Sequence, residues 1–323
     1  MIIKLGWRCL LTLLLAMLAG LGASNASANE ALDLLTRMQS AVRDLNYTGH
    51  VAYTRSNELY TFSITHEAGE DQETIVRLDS GSLGQAASNE VESFSLTDFD
   101  NLHRPAKDSY SFDAGQETQV AEQTCKVVVV RPKDKYRFLH RYCINPETGM
   151  LLKYSLMDRS QNVLEQLVFT QLEIGKQGDK PSSARVTYNA SFSPTTLRQA
   201  SAVTMMRPQT LADTDDSATD KSAVLVLDEW AFDDLPAGFQ WVRTLERVNN
   251  GKTDQVILSD GMTSVSVFFT PVAQAEKLDD LSYAAGATHV LSDVMSGYLV
   301  TFVGEVPAAT LQSIQKGLRH IQP

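Results

Sequence analysis

The chain contains 323 residues with three cysteines and a formal net charge of −11. A chain of this length is long for a single hydrophobic core and favours two domains. Because so acidic a protein repels phosphate backbones, its composition argues against nucleic-acid binding. The same charge argues against simple adhesion to anionic lipid headgroups, although acyl chains could still bind in an apolar pocket.

The first 28 residues have the organisation of a secretory signal peptide. Lys4 and Arg8 form a short positive stretch, an almost wholly apolar run spans residues 10–21, and residues 26–28 (Ala-Ser-Ala) provide a small-residue exit. The apolar run is shorter than the about 20 residues that a membrane-spanning helix needs, so an uncleaved anchor is the less favoured alternative. We therefore expect a mature chain that begins at residue 29 and works outside the cytoplasm.

Residues 29–200 are predicted to form one helix followed by antiparallel strands. Apolar side chains at three- and four-residue spacing predict an amphipathic helix over residues 29–45. Residues 105–115 are expected to be irregular, with room for a short helix. Aromatic, β-branched and apolar residues between turn signals predict strands at 47–55, 58–66, 72–79, 92–99, 125–131, 136–144, 150–157 and 163–174.

This series of neighbouring strands predicts one large, curved antiparallel sheet, with the helix as a lid over its concave face. Five side chains of the helix and the first hairpin are our candidates for lining a lipid cavity under this lid. They are Leu35, Met38, Val42, Tyr53 and Phe62. The alternative is that these side chains simply pack in a hydrophobic core.

Cys125 and Cys143 are the two cysteines of the predicted mature chain, and two cysteines in an exported protein favour one disulfide. They lie on the two predicted strands of one hairpin, whose turn falls at residues 132–135. If the hairpin centres on Asp134, the two cysteines are directly opposite, with Cβ atoms about 4.5–5.5 Å apart. We predict a Cys125–Cys143 disulfide, with two buried free thiols as the alternative.

Residues 201–222 interrupt the strand pattern with Pro208, four aspartates and many small polar residues. No hydrophobic period runs through the acidic half, so we predict a flexible acidic linker. Residues 223–323 are then expected to form a smaller α+β domain. Its predicted elements are strands at 239–248, 255–259, 263–271, 287–294 and 298–303 and a closing helix at 307–318.

The sequence contains no motif that is typical of catalysis. Its six histidines show no H-x-x-x-H or Cys/His spacing that would build a zinc site. A P-loop, a dinucleotide-binding glycine motif and a G-x-S-x-G nucleophile elbow are also missing. We therefore expect a binding protein that carries no metal or cofactor, and not an enzyme.

Short motifs in both halves of the chain resemble the RseB/MucB family of periplasmic regulators. In the second half these are residues 259–261 (SDG), 286–290 (GATHV) and 297–307 (GYLVTFVGEVP). In the first half they are residues 45–49 (LNYTG) and 148–151 (TGML). The resemblance extends over nearly the whole predicted mature chain.

The resemblance implies a periplasmic protein whose first domain is an unclosed antiparallel β-barrel similar to LolA and LolB. It implies binding to the periplasmic segment of a membrane-bound anti-sigma factor of the RseA/MucA kind, which protects that segment from site-1 proteolysis. Lipid, lipopolysaccharide acyl chains or mislocalised lipoprotein would trigger release. The expected function is therefore negative regulation of the sigma-E envelope stress response, with a periplasmic lipid or lipoprotein carrier as the alternative. Whether the chain forms a homo-oligomer stays open.

Three aromatic residues at the start of the second domain are our candidates for contacting this partner, because aromatic side chains are enriched at binding hot spots. They are Trp230, Phe232 and Trp241. Trp230 and Phe232 flank an acidic, loop-like segment and are expected to be exposed. Trp241 lies inside a predicted strand, and packing in the domain's own core is slightly favoured for it.

Overall fold

The computed structural model describes residues 27–70, 73–78, 96, 108–175, 229–248, 253–272 and 281–321. Within these ranges the chain forms two large antiparallel sheets, a small two-stranded sheet and helices, so the predicted α+β class is confirmed. We call residues 27–175 the N-terminal lobe and residues 229–321 the C-terminal lobe. None of the described helices is long and apolar enough to cross a membrane.

Three sequence predictions concern residues outside these ranges. They are the signal peptide apart from its last two residues, the linker at 201–222, and the strand at 92–99 apart from Leu96. The predicted boundaries on either side of the linker also fall in undescribed residues, and the predicted domain division stays a prediction.

The N-terminal lobe consists of a helix and an eight-stranded antiparallel sheet. Helix α1 is described over residues 27–44, in agreement with the predicted helix. In the described part of the lobe the sheet has two edges, β3 and β4, and runs in the order β3-β2-β1-β8-β7-β6-β5-β4, so the barrel is unclosed as predicted. The strands are β1 (Tyr47–Arg55), β2 (Glu58–His66), β3 (Thr74–Arg77), β4 (Tyr110–Val120), β5 (Gln123–Pro132), β6 (Leu139–Ile144), β7 (Leu151–Met157) and β8 (Val163–Ile174).

Helix α1 covers one end of the inner face of this curled sheet. Its buried apolar side chains share one core with Val51, Phe62 and Phe169 of the sheet: Ala31, Leu34, Leu35, Met38 and Val42. Each fully buried Leu, Met or Val side chain contributes about 2 kcal/mol to folding. Polar contacts also hold the helix to the rest of the lobe, because Arg37 donates to the Glu147 carbonyl at 2.8 Å and Lys126 pairs with Glu30. The amphipathic pattern therefore predicted both the helix and its buried side.

Strand β4 corrects the prediction that residues 105–115 are irregular or helical, because residues 110–115 belong to it. It pairs along its length with β5 through a two-residue turn at Ala121 and Glu122, which have φ angles of 50° and 62°. Two-residue hairpin turns require positive φ values, and Gly, Asn or Asp usually supply them. This turn contains none of these residues, so its sequence carries no hairpin signal.

The predicted disulfide is present, and Cys125 and Cys143 join β5 to β6 with an S–S distance of 1.97 Å. The predicted register is wrong, because Cys143 lies opposite Val127 and the disulfide links the strands diagonally. The hairpin centres on Lys135 rather than Asp134. The reason is tertiary, since residues 136–138 leave the strand to contact the C-terminal lobe.

The C-terminal lobe packs a six-stranded sheet against helix α2 (Ala308–Gly317) and a two-stranded sheet. Helix α2 and five of the strands agree with the prediction, whereas β9, β13 and β16 were missed. The sheet order is β10-β11-β12-β15-β14-β13, and β16 pairs with β9. The strands are β9 (Trp230–Phe232), β10 (Gln240–Arg247), β11 (Thr253–Ser259), β12 (Ser264–Pro271), β13 (Leu281–Ala285), β14 (Thr288–Met295), β15 (Tyr298–Gly304) and β16 (Leu318–His320).

Candidate functional site

The inner face of the N-terminal sheet carries two rows of directly paired residues beyond the part covered by α1. The first, which we call the tyrosine row, consists of Tyr60, Tyr53, Leu167, Tyr154, Tyr142, Val128 and Ala114. The second, which we call the charged row, consists of Glu58, Arg55, Glu165, Leu156, His140, Val130 and Phe112. Residues paired across strands project from the same face of a sheet, so both rows lie on the face that holds the core under α1. Several of their members belong to that core, among them Leu167, Tyr142, Val128 and Val130.

Strand β1 shows how the chemistry of this face changes along its length. Val51 is fully buried in the core under α1, Tyr53 belongs to the tyrosine row, and Arg55 belongs to the charged row. The inner face thus passes from apolar to aromatic to charged residues away from the start of β1. Such a gradient suits an amphipathic ligand better than a purely apolar one.

The structure brings the five predicted cavity residues to one side of the sheet. Leu35, Met38, Val42 and Phe62 are buried in one hydrophobic core, and Tyr53 packs against its border. In the described residues these side chains pack with one another between α1 and the sheet. Their packing is that of a core, and their role in lipid binding stays a prediction.

His140 is a buried titratable group of the charged row. Its Nδ1 lies 2.9 Å from the Tyr154 hydroxyl, and its ring stacks with the Tyr142 ring at 6.2 Å. Burial disfavours the imidazolium form and lowers the pKa of His140 to about 4, although the Asp260 carboxylate partly opposes this effect. The imidazole is therefore neutral at neutral pH.

Arg55 and Glu165 of the charged row bind the turn between β13 and β14 of the C-terminal lobe. Arg55 Nη2 donates to Thr288 Oγ1 at 2.9 Å and to the Ala285 carbonyl at 3.3 Å. Glu165 Oε1 accepts from the Ala287 backbone N–H at 3.1 Å, while its Oε2 accepts from the Tyr53 hydroxyl at 2.8 Å. Burial raises the pKa of the Glu165 carboxyl, and the nearby Glu305 carboxylate raises it further.

Gly286 lies at the centre of this contact, where a larger residue would meet two side chains of the N-terminal lobe too closely. Its φ angle is +59°, and a Cβ atom built on it would lie 2.8 Å from both Arg55 Cγ and Glu165 Oε1. L-residues rarely adopt this backbone conformation, and the added atom would also separate the lobes. The close approach of the two lobes thus explains why the GATHV motif has a glycine at this position.

A second contact between the lobes centres on an ion pair between Arg137 and Asp260, both fully excluded from solvent. Arg137 also donates to Asp134 and to the Ala237 carbonyl, and the Tyr110 hydroxyl donates to Asp260 Oδ2 at 2.7 Å. Hydrogen bonds thus satisfy both charges, as a buried ion pair requires. Removing one partner of such a pair typically costs about 3–5 kcal/mol, because the other charge stays buried.

The structure corrects the expected exposure of one of the three predicted partner-binding residues. Trp230 is only 2 % exposed, because β9 pairs with β16 and the indole packs against Phe269, Tyr298 and His320. The expected exposure of Trp230 is therefore wrong. Phe232 and Trp241 are half-buried and contact each other edge to face at 5.9 Å. Their contact with a partner stays a prediction.

Sequence reasoning missed the residues that join the lobes. Asp260 was part of a turn signal and of a motif, but nothing in the sequence linked it to Arg137, 123 positions earlier. The only sequence signal for this contact was that Arg137 is a charged residue among apolar ones in a predicted strand. Among the described residues, no group of three or more His, Cys, Asp or Glu side chains could hold a metal ion.

Comparison with known proteins agrees with this two-lobed arrangement. The family model for the MucB/RseB N-terminal domain matches residues 30–82 and 84–199, and that for the MucB/RseB C-terminal domain matches residues 226–319. The chain is 26% identical to the sigma factor AlgU regulatory protein MucB of Pseudomonas aeruginosa over 96% of both chains. It is 25% identical to the sigma-E factor regulatory protein RseB of Haemophilus influenzae over 94% of both.

Solved structures show the same fold. The crystal structure of MucB in complex with MucA(peri) matches with a TM-score of 0.62 and 22% identity, covering 91% of this chain and 100% of that chain. Both family models match, and together they cover both lobes and most of the sequence. The chain therefore belongs to the MucB/RseB family.

Proposed function

We propose that this protein is a periplasmic negative regulator of the sigma-E envelope stress response. It acts by binding the periplasmic segment of a membrane anti-sigma factor, which shields that segment from site-1 proteolysis, and not by catalysis. The observation that carries this proposal is the match of both lobes to the MucB/RseB domains. The names of the relatives and the complex of MucB with MucA(peri) support it.

The second part of the proposal is that acyl chains of lipid or lipopolysaccharide, or a mislocalised lipoprotein, bind the inner face and trigger release. The apolar end under α1 offers Leu35, Met38, Val42 and Phe62, and the tyrosine row continues this surface with Tyr53. Hydrocarbon would gain about 0.8 kcal/mol for each buried CH₂ group. Support comes from the gradient along the inner face, which places polar groups where a lipid headgroup would follow its chain.

A periplasmic carrier of lipid or lipoprotein is the alternative function. A carrier would use the N-terminal lobe alone and would need its inner face to open freely. Arg55, Glu165 and Arg137 instead fasten this lobe to the C-terminal lobe at the charged end of that face. This attachment favours the regulator over the carrier.

The experiment that tests the regulator is calorimetric titration of the full chain with the periplasmic segment of a MucA-like anti-sigma factor, followed by digestion with the site-1 protease. We expect saturable binding and slower cleavage of the segment. Phe232→Ala should weaken binding if the half-buried pair with Trp241 contributes to the contact. Tyr283→Ala, an exposed aromatic on the β13 edge, is a control for loss of an aromatic ring elsewhere in the C-terminal lobe. A folded protein that neither binds nor protects the segment would favour the carrier.

A further inference from the structure

The turn between β11 and β12 reaches from the C-terminal lobe into the core of the N-terminal lobe. Met262, at this turn, is half-buried and packs against the hydrophobic core that α1 and the eight-stranded sheet form. Asp260 Oδ1 accepts from the backbone N–H groups of Met262 and Thr263, both at 2.9 Å, and Gly261 has a φ angle of +90°. The turn therefore presents Met262 in a defined orientation.

The same aspartate attaches this turn to the N-terminal lobe. Its Oδ2 accepts from Arg137 and from the hydroxyl of Tyr110, whose ring is part of the N-terminal core. One carboxylate thus shapes the turn with one oxygen and joins the lobes with the other. The inner face consequently has two covers, α1 at its apolar end and the turn from Asp260 to Thr263 on another side.

The two covers differ in the number of buried side chains and polar contacts that would be lost if each one moved. Helix α1 buries five apolar side chains in the core and is anchored by Arg37 and Lys126. The turn contributes one apolar side chain, that of Met262, which is unbranched and readily repacks. An acyl chain that enters beneath these covers competes with their side chains for contact with the core. Met262 is the one apolar side chain that the turn brings to this core.

We propose that Met262 occupies the place of an acyl chain, and that ligand binding withdraws the turn and with it Asp260 from Arg137 and Tyr110. This inference rests on the proposed lipid binding and adds its regulation, because lipid and the docked C-terminal lobe then compete for one surface. A change at the acyl site thereby becomes a change in the relative position of the two lobes.

Competition of this kind is reciprocal. If bound lipid weakens the docking of the lobes, then weaker docking must strengthen lipid binding by the same factor. Coupling between sites in proteins typically changes affinity about 5- to 150-fold. Variants that loosen the turn are therefore expected to bind lipid more tightly, whereas variants that merely damage a binding site would bind it more weakly.

The test uses the full chain and the fluorescent fatty acid 11-(dansylamino)undecanoic acid. Asp260→Asn keeps an oxygen for the turn but removes the charge that pairs with Arg137. We expect it to bind the probe about tenfold more tightly than the unmodified protein. Asp233→Asn, which removes the exposed pair with Arg319 within the C-terminal lobe, is the matched control and should leave the affinity unchanged.

Met262→Ala tests the inference independently of the ion pair and of any folding defect in the Asp260 variant. It empties the place of the acyl chain and leaves the Arg137 contact intact, so we expect tighter probe binding without a change in the ligand-free radius of gyration by small-angle X-ray scattering. In the unmodified protein, saturating probe should increase that radius.

Each result has a distinct meaning. Tighter binding by both variants, with expansion of the unmodified protein on probe addition, supports the competition. Equal or weaker binding by both variants, while the unmodified protein binds the probe, overturns the competition and leaves the proposed lipid binding standing. Failure of all the folded proteins to bind the probe removes the lipid part of the proposed function, and the competition with it.

Discussion

Gly286 shows how a single atom can determine the spacing between two lobes. A methyl group at this position meets Arg55 and Glu165 of the N-terminal lobe at 2.8 Å. Gly297 has a similar backbone conformation, with a φ angle of +83°, but nothing lies within 4 Å of its added Cβ. Alanine substitutions at the two glycines therefore distinguish the energetic cost of the backbone conformation from the cost of a steric collision between the lobes.

We predict that Gly286→Ala lowers the free energy of unfolding by more than Gly297→Ala does. Both variants incur about 1–2 kcal/mol for the left-handed conformation, and Gly286→Ala adds about 1–3 kcal/mol for the collision. Urea unfolding followed by circular dichroism measures both values. Equal losses in the two variants would mean that the lobes do not approach each other closely at Gly286 in solution.

His140 predicts a dependence of stability on pH with a definite sign. Its folded pKa of about 4 lies below the about 6.5 of an unfolded histidine, so the unfolded chain binds more protons between these values. The neutral imidazole thus contributes stability that is present above pH 6.5 and is lost as the pH falls towards 4. Between pH 7 and pH 5 the loss amounts to about 2 kcal/mol.

We expect His140→Phe to reduce this loss. Phenylalanine keeps the aromatic contact with Tyr142 and removes the proton-binding group, although it also removes the hydrogen bond to Tyr154. The comparison is therefore the difference in unfolding free energy between pH 7 and pH 5 for each protein, and not the stability at either pH. His50→Phe, a half-buried histidine outside the charged row, is the control. Identical pH dependence in the His140 variant and the unmodified protein would contradict the lowered pKa.

Strands β9 and β16 explain why Trp230 was misplaced. The acidic residues beside Trp230 predicted an exposed loop, but this three-residue strand pairs with residues about 90 positions away, Leu318 to His320. Strands this short carry no detectable alternation. Strand β4 was missed for a related reason, because its turn at Ala121 and Glu122 lacks the residues that usually adopt positive φ. Strands with long alternating patterns, such as β1, β2, β7 and β8, were predicted correctly.

The disulfide belongs to the element scale, because it ties β5 to β6 within the sheet. We predict that Cys125→Ser lowers the free energy of unfolding by about 3 kcal/mol, since the disulfide closes a loop of 18 residues in the unfolded chain. Adding a reductant to the unmodified protein should produce a similar loss but should not destabilise the variant further. Non-reducing mass spectrometry that finds two alkylatable thiols in the native protein would refute the prediction.

At the scale of the whole molecule, the lobes are joined by buried contacts as well as by the chain between them. Limited proteolysis should cut first within residues 201–222, the acidic segment that the sequence predicts to be a flexible linker. We predict that the two fragments remain together in size-exclusion chromatography, because the Arg137 and Gly286 contacts hold the lobes after cleavage.

Arg137→Ala should release the fragments from each other, since it leaves Asp260 buried without its cation. Arg319→Ala removes an exposed ion pair within the C-terminal lobe and should leave the fragments together. Fragments of the unmodified protein that separate at once would mean that the contact between the lobes is weak in solution. Early cleavage outside residues 201–222 would argue against the predicted domain division.

The sequence by itself determined the local features whose signals lie close together along the chain. Helix spacing in α1, alternation in the long strands and the cysteine pair in one hairpin all depend on neighbours within about 20 residues. The family motifs also belong here, because they are continuous segments. Only the tertiary structure decided which residues meet across the lobes. Arg137 and Asp260, or Glu165 and Gly286, are more than a hundred positions apart, and burial of their polar groups depends on packing that no local pattern records.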